Sequence, residues 1–296
     1  MFKNFVYYII VLLFLYSCTS HREPIEPSII LEGWIENDGH PMVMLHNSVV
    51  LGEQYDSITD LFMEKVITLG KVVVSDGDES VILTGSLDTM YMLPYKYTST
   101  HIRGEVGNRY TIELEYEDKI VTATTTIPEL ALFDSLKIHR TQHNDTLLNL
   151  FGYVTDKDVN KEEYYVLFYR YRGERQYINC FLGVFSDADA DDRGVITMPI
   201  YRNVSVSLRD SISDKKQTRF FKPWDKIDLK LTTVDSVGYR FWSEYSALSN
   251  TSSIAFMPVY TNIYTNIEGG KGYWIGYGAK VYPLTLRRDT TIRYPH

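Results

Sequence analysis

Apolar and polar residues change places at every step in Tyr110-Thr111-Ile112-Glu113-Leu114-Glu115-Tyr116, and again in Lys226-Ile227-Asp228-Leu229-Lys230-Leu231-Thr232. A period of two is what a strand with one buried face requires. Shorter apolar runs carry the same message along most of the chain. Ile29 to Ile35 predicts a first strand, closed by Asn37-Asp38-Gly39, and Met42 to Val50 a second. Val72-Val73-Val74 and Val81-Ile82-Leu83 flank Ser75-Asp76-Gly77-Asp78, where Asp-Gly marks a hairpin turn. Ile120 to Ile127 returns after the turn at Glu117-Asp118-Lys119, and Pro128 ends it.

Strands resume at Leu136 to His139 and at Leu147 to Val154. Tyr164 to Tyr171 and Gln176 to Phe185 are expected to pair around Arg172-Gly173-Glu174-Arg175. Gly272 to Leu286 is expected to be a closing hairpin of the second sheet. Two segments break the strand pattern. Thr59 to Leu69 suits a short helix. Asp235 can cap a helix through Leu248, placing Val237, Phe241, Tyr245 and Leu248 on one face. The chain is thus expected to be mainly β: an N-terminal sandwich over 28–127, a connection at 128–134, and a second β-sheet domain over 135–296 with one short α-helix near 235–248.

The first seventeen residues have another character. Lys3 precedes an uninterrupted apolar run from Phe5 to Leu15. The run is too short for a membrane span, which needs about 20 apolar residues, and suits the core of a signal peptide. Leu15-Tyr16-Ser17-Cys18 then matches the pattern cut by lipoprotein signal peptidase. Cys18 is accordingly expected to become the lipidated N-terminus, carrying palmitate-type acyl chains and fixing the protein to the outer membrane. Each buried methylene contributes about 0.8 kcal/mol, so two or three chains anchor stably where one does not. Residues 18–27 form a polar, Pro-bearing stalk. The stretch after Cys18 is only mildly acidic, so periplasmic and cell-surface faces both stay open.

With Cys18 lipidated, Cys180 is the one remaining cysteine, so no intrachain disulfide can form. It sits in the apolar run Tyr177 to Leu182, as an inert thiol does. A net charge of −8 without a Lys/Arg cluster argues against nucleic acid. Aromatics reach 14%, with 24 Tyr, which favours strands and also suits a contact surface. Tyr260, Tyr264, Tyr273, Trp274 and Tyr277 are the candidate contact residues; filling the second core is the competing use for them.

Catalytic signatures are scarce. There is no His-Glu-x-x-His, paired Cys-x-x-Cys, Gly-x-Ser-x-Gly or Walker pattern. His139 and His143 straddle a strand end and a turn, where a four-residue spacing carries no meaning for a metal. Gly269, Gly270 and Gly272 precede an aromatic strand, as a turn or bulge would. Asp187, Asp189, Asp191 and Asp192 are spaced much as carboxylates are in calcium loops, and Ca²⁺ is the one cofactor worth testing. Asp192 stands where that loop needs glycine, however, and Met198 where it needs a bidentate Glu. A solvated acidic loop is the competing reading.

Several of these segments, in this order, resemble the Bacteroidota lipoprotein family catalogued as domain of unknown function 4249. They are the Leu15–Cys18 motif, Leu31-Glu32-Gly33-Trp34-Ile35, Gly107-Asn108-Arg109-Tyr110-Thr111 and Thr124 to Pro128. Asp191-Asp192-Arg193-Gly194, the 235–248 helix and Asn266 to Tyr273 complete the likeness, which covers nearly all of the chain after Cys18. The resemblance implies an envelope lipoprotein, often encoded beside TonB-dependent transporters, with no catalytic residues to carry over. The first domain is also similar to Ig-like and transthyretin-like sandwiches. Exported proteins of such bacteria are O-glycosylated at Asp-Ser/Thr-apolar (or Thr) tripeptides, which here makes Ser57, Thr89, Ser135, Thr146, Ser211, Ser236 and Thr290 candidates. Turn and cap chemistry explains the same tripeptides without modification. The expected function is a non-catalytic binding or accessory component of a TonB-dependent transporter. An envelope hydrolase acting on glycans or peptides, and a structural or adhesin-like surface protein, are the alternatives.

Overall fold

The computed structural model describes residues 27–48, 58–91, 94–142, 144–156, 161–203, 219–251 and 263–295. The expectations at Cys18, Ser57, His143, Ser211 and Tyr260 lie outside them. In chain order, β1 (Ile29–Glu36) and β2 (Met42–Asn47) pair antiparallel, and α1 (Ile58–Lys65) follows. Next come β3 (Lys71–Ser75) with β4 (Ser80–Ile82), β5 (Thr84–Leu87) with β6 (Tyr95–Thr98), and β7 (Arg109–Tyr116) with β8 (Lys119–Thr126). The second half contains β9 (Ser135–Thr141), β10 (Asn144–Thr155), β11 (Tyr164–Tyr171), β12 (Ile178–Ser186), β13 (Val195–Ile200) and β14 (Lys226–Val234). Helix α2 (Ser236–Thr251), β15 (Lys271–Thr285) and β16 (Thr290–Arg293) end it.

These strands make one long sheet and two small ones. The long sheet runs β12-β11-β14-β15-β1-β2-β6-β5, and the small sheets run β4-β3-β7-β8 and β13-β10-β9-β16. The protein is mainly β, with sheets packed face to face. Strand β15 explains how the layers meet, because successive side chains of a strand point to opposite faces. Trp274 joins the core under β3, β7 and β8, while Tyr282 and Leu284 join the core under β9, β10 and β13. Both small sheets therefore cover the same face of the long one. On the other face, Ile275 and Tyr277 pack with Phe241 and Trp242 of α2.

Burial follows this layering. In β7 the charged positions face water, and Tyr110, Ile112 and Leu114 are sealed inside. Fully burying such a side chain stabilises by about 1.5–3 kcal/mol. Strand β14 is different: from Leu229 to Val234 every residue is buried, because a small sheet covers one face, and on the other Val234 packs in the α2 cluster while Tyr177 and Glu36 enclose Lys230. The long sheet is common to both halves of the chain, since β1 pairs parallel with β15. In the 128–134 segment, Phe133 is fully buried and its N–H donates to the Tyr282 hydroxyl at 2.9 Å.

Two local expectations are corrected. The Gly272–Leu286 region is one fifteen-residue strand and not a hairpin. Its Gly276 does not mark a turn; a Cβ there would lie 2.5 Å from the Thr126 carbonyl oxygen. Helix α2 is capped as anticipated, with the Gly238 N–H donating to Asp235 Oδ1 at 2.7 Å. Its inner face, however, is Gly238, Phe241, Trp242 and Ser246, and Tyr245 is exposed.

Candidate functional site

Beyond the part covered by α2, the open face of the long sheet carries charge. Lys230 of β14 is buried, and its ammonium donates to Glu36 of β1 across the intervening β15. Lys230 Nζ also lies 3.8 Å from the ring centre of Tyr177, just ahead of β12, and the Arg170 guanidinium lies 4.4 Å from the same ring. Burial lowers the Lys230 pKa despite the opposing attraction of Glu36, and pushes the Tyr177 hydroxyl up to about 12. Arg170 and Arg172 converge on Asp228, at 3.0 Å from Oδ2 and 3.8 Å from Oδ1.

The cluster continues into the first half of the chain. Arg175, in the turn between β11 and β12, donates to Asp88 Oδ2 at 3.0 Å, where Lys96 Nζ also donates at 2.7 Å. The Lys96 ammonium, with the Met90 N–H and Arg175 assisting, holds the Asp88 carboxyl below the usual carboxylate range. A lysine with a lowered pKa has nucleophile chemistry in principle. Lys230 is only 6% exposed and is hemmed between a carboxylate and an aromatic ring. The arrangement is a set of closed ion pairs clamping β1, β11 and β14 together. Pattern reading passed over it because Lys230 and Asp228 sit where an alternating strand should meet water.

The aromatic candidates divide. Trp274 is fully buried; its indole N–H donates to the Tyr110 carbonyl at 3.0 Å, and Asn266 bonds both its N–H and its C=O. Tyr277 is buried, accepts the Trp242 indole N–H at 2.9 Å, and has its pKa raised by burial. Tyr273 packs 4.6 Å from the Phe241 ring centre. Trp274 and Tyr277 build the interior, while Tyr273 is half-buried at the edge of the α2 cluster. Tyr264 is half-buried, under the Arg240 guanidinium at 4.2 Å, and its N–H donates to Glu244.

The acidic loop is occupied by its own chain. Asp187 Oδ2 accepts the Glu163 N–H, and Asp189 Oδ2 accepts the Ser186 N–H. Asp191 accepts the N–H groups of Arg193 and Val195, and its bond from the Arg193 guanidinium leads in holding its pKa down. Asp192 is exposed. Among the described residues, no three His, Cys, Asp or Glu side chains converge as a metal site. Thr89, Thr146 and Ser236 are exposed, whereas Ser135 and Thr290 are half-buried. Cys180 is buried in the second core, and burial raises its pKa, as an inert thiol requires.

Three separated segments meet at one residue: Gly33 faces Trp274, Tyr110 accepts from it, and Asn266 clamps it. The family described as domain of unknown function DUF4249 matches residues 19–282. The chain belongs to this family. No curated protein matches it. In this DUF4249 chain Gly33, Tyr110 and Asn266 converge on one interior tryptophan, a packing role that accounts for the fold.

Proposed function

We propose that this DUF4249 chain is an envelope lipoprotein, fastened to the outer membrane through acylated Cys18 and serving as a non-catalytic binding or accessory component of a TonB-dependent transporter. The observation that supports the reading is the position of β1, the strand that the proposed tether would enter. Residues 18–27 lead into β1, which is zipped inside the long sheet between β15 and β2. A pull along that tether shears two hydrogen-bond ladders at once, where an edge strand would expose one ladder only. Such an attachment suits a body that stays fixed while a partner moves. The interior charges favour binding over bond-breaking, since Lys230, Glu36, Arg170 and Asp228 are consumed in mutual pairs.

The test is pull-down of the full chain from gently extracted membranes, alongside Cys18→Ala. The expected outcome is a transporter that copurifies with the unaltered chain, and a variant that keeps its leader and loses stable anchoring. A partner-free monomer would sink the transporter role. Unchanged processing of Cys18→Ala would sink the lipoprotein reading.

A further inference from the structure

Trp224 stands apart from the other tryptophans. It is 67% exposed, while Trp242 and Trp274 are buried. Its backbone has φ +73, a region that bulky side chains seldom enter. The cause is a tight turn over Lys222-Pro223-Trp224-Asp225, in which the Asp225 N–H donates to the Lys222 carbonyl at 3.2 Å. Proline at the second position and positive φ at the third are the type II pattern, whose third position normally belongs to glycine or asparagine. The turn is held from outside: Trp224 N–H donates to the Leu286 carbonyl at 2.7 Å, Leu286 N–H to the Asp225 carbonyl at 2.9 Å, and Lys222 N–H to Asp225 Oδ2 at 2.8 Å. An exposed indole contributes little to packing, so the fold maintains backbone strain in order to present it. Strain of that kind gathers at ligand clamps.

The surroundings give the ligand its chemistry. Arg287 lies with its guanidinium 5.6 Å from the Trp224 ring centre, and a cleft of about 370 Å³ is lined by Pro223, Trp224, Arg287 and Arg288. Among the described residues, neither arginine has a carboxylate partner; neighbouring Asp289 is spent on Arg140 at 3.0 Å, and Asp225 closes the turn. Free guanidiniums in a chain of net charge −8 are a local reversal of sign. A flat indole takes the apolar face of a ring, and guanidinium takes a carboxylate through paired hydrogen bonds. A cleft of this volume sits at the lower end of small-ligand sites. One indole amid charged neighbours is too little apolar surface to enter a bilayer.

We propose that the Lys222–Asp225 turn and Arg287–Arg288 form a binding site for an acidic saccharide, with Trp224 stacking on a uronate ring and the arginines holding its carboxylate. The site holds whether or not Cys18 is acylated. The probe is a trimer of galacturonic acid, titrated by calorimetry into the full chain in detergent, with its methyl ester, a glutamate tetrapeptide and phosphatidylglycerol vesicles as comparisons. Glycine fits φ +73 without strain, so Trp224→Gly should fold at least as stably as the original while binding the trimer about tenfold or more weakly, a loss of about 1.4 kcal/mol. Replacing Arg287 and Arg288 by Gln should abolish the preference for the free acid over the ester. Undiminished binding by Trp224→Gly, no binding by the unaltered chain, equal binding of the ester, or tighter capture of the peptide or the vesicles would each overturn the proposal.

Discussion

Gly33 and Trp274 are direct partners across the parallel ladder of β1 and β15, and a Cβ on Gly33 would lie 2.8 Å from Cε3 of the indole. The early strand thus leaves out a side chain so that a strand more than two hundred residues later can insert its largest one. Trp274 uses the space to reach β7, donating to the Tyr110 carbonyl. The relationship ties the first strand, the first small sheet and the closing strand into one core.

Gly33→Ala should consequently be destabilising by about 1–3 kcal/mol, the usual cost of overpacking a filled core. Trp274→Ala should cost about 3–5 kcal/mol, as large aromatic deletions do. The two losses should be less than additive, because the cavity left by the indole accepts the added methyl. Denaturant unfolding of the three variants measures this. Strict additivity would refute the contact.

Where one face of a strand meets water, the pattern was legible: β7 and β8 were readable from alternation and from the turn at Glu117-Asp118. Asp76-Gly77 likewise announced the β3–β4 hairpin. Legibility failed where both faces are covered or where partners are remote. The expected hairpin at Gly272–Leu286 is one continuous strand, in which Gly276 and Gly278 are small so that another backbone can approach. The parallel β1–β15 pairing has no local signal at all. The Lys230 cluster was hidden because a lysine in an alternating strand looks solvated. Trp224 had one cue, the proline before it, which alone does not reveal a positive φ.

Trp242 and Tyr277 bond to each other beneath α2 at 2.9 Å. Trp242→Phe keeps most of the apolar contact with Phe168 but leaves the Tyr277 hydroxyl buried without that partner. The expected loss is about 1–3 kcal/mol, the penalty for orphaning a buried polar group. Trp242→Phe combined with Tyr277→Phe should recover part of it. A double variant no more stable than the single one would show that the indole matters through packing.

Lys230 and Glu36 are expected to behave as a pair. Lys230→Met alone should cost about 2 kcal/mol or more; the roughly 3–5 kcal/mol of a fully buried pair is an upper bound, since Glu36 keeps some access to water. Lys230→Met with Glu36→Gln should return close to the original stability. The pH dependence has a definite sign. The folded pKa of Lys230 is lowered, so between it and the ordinary lysine value of about 10.4 the unfolded chain binds more protons, and stability from this group rises with pH. The Met variant should lack that rise, which urea titrations at several pH values would reveal.

Asp88 offers the opposite case. Its folded pKa lies below the ordinary aspartate value of about 3.9, because Lys96 leads, with Met90 and Arg175, in favouring the ionised form. The folded chain accordingly releases this proton more readily than the unfolded one. The stabilisation is complete above about pH 3.9 and fades as pH falls through the folded value. Asp88→Asn should thus be less stable than the original at neutral pH, with the gap closing in the acid range. High salt should narrow the neutral-pH gap only partly, since Asp88 and Lys96 are 9% and 18% exposed while Arg175 is 62% exposed. Because Arg175 joins the β11–β12 turn to the β5–β6 region, the same acidification should raise hydrogen exchange at both places together. Loosening at one without the other would mean that the Asp88–Arg175 contact does not couple the two halves.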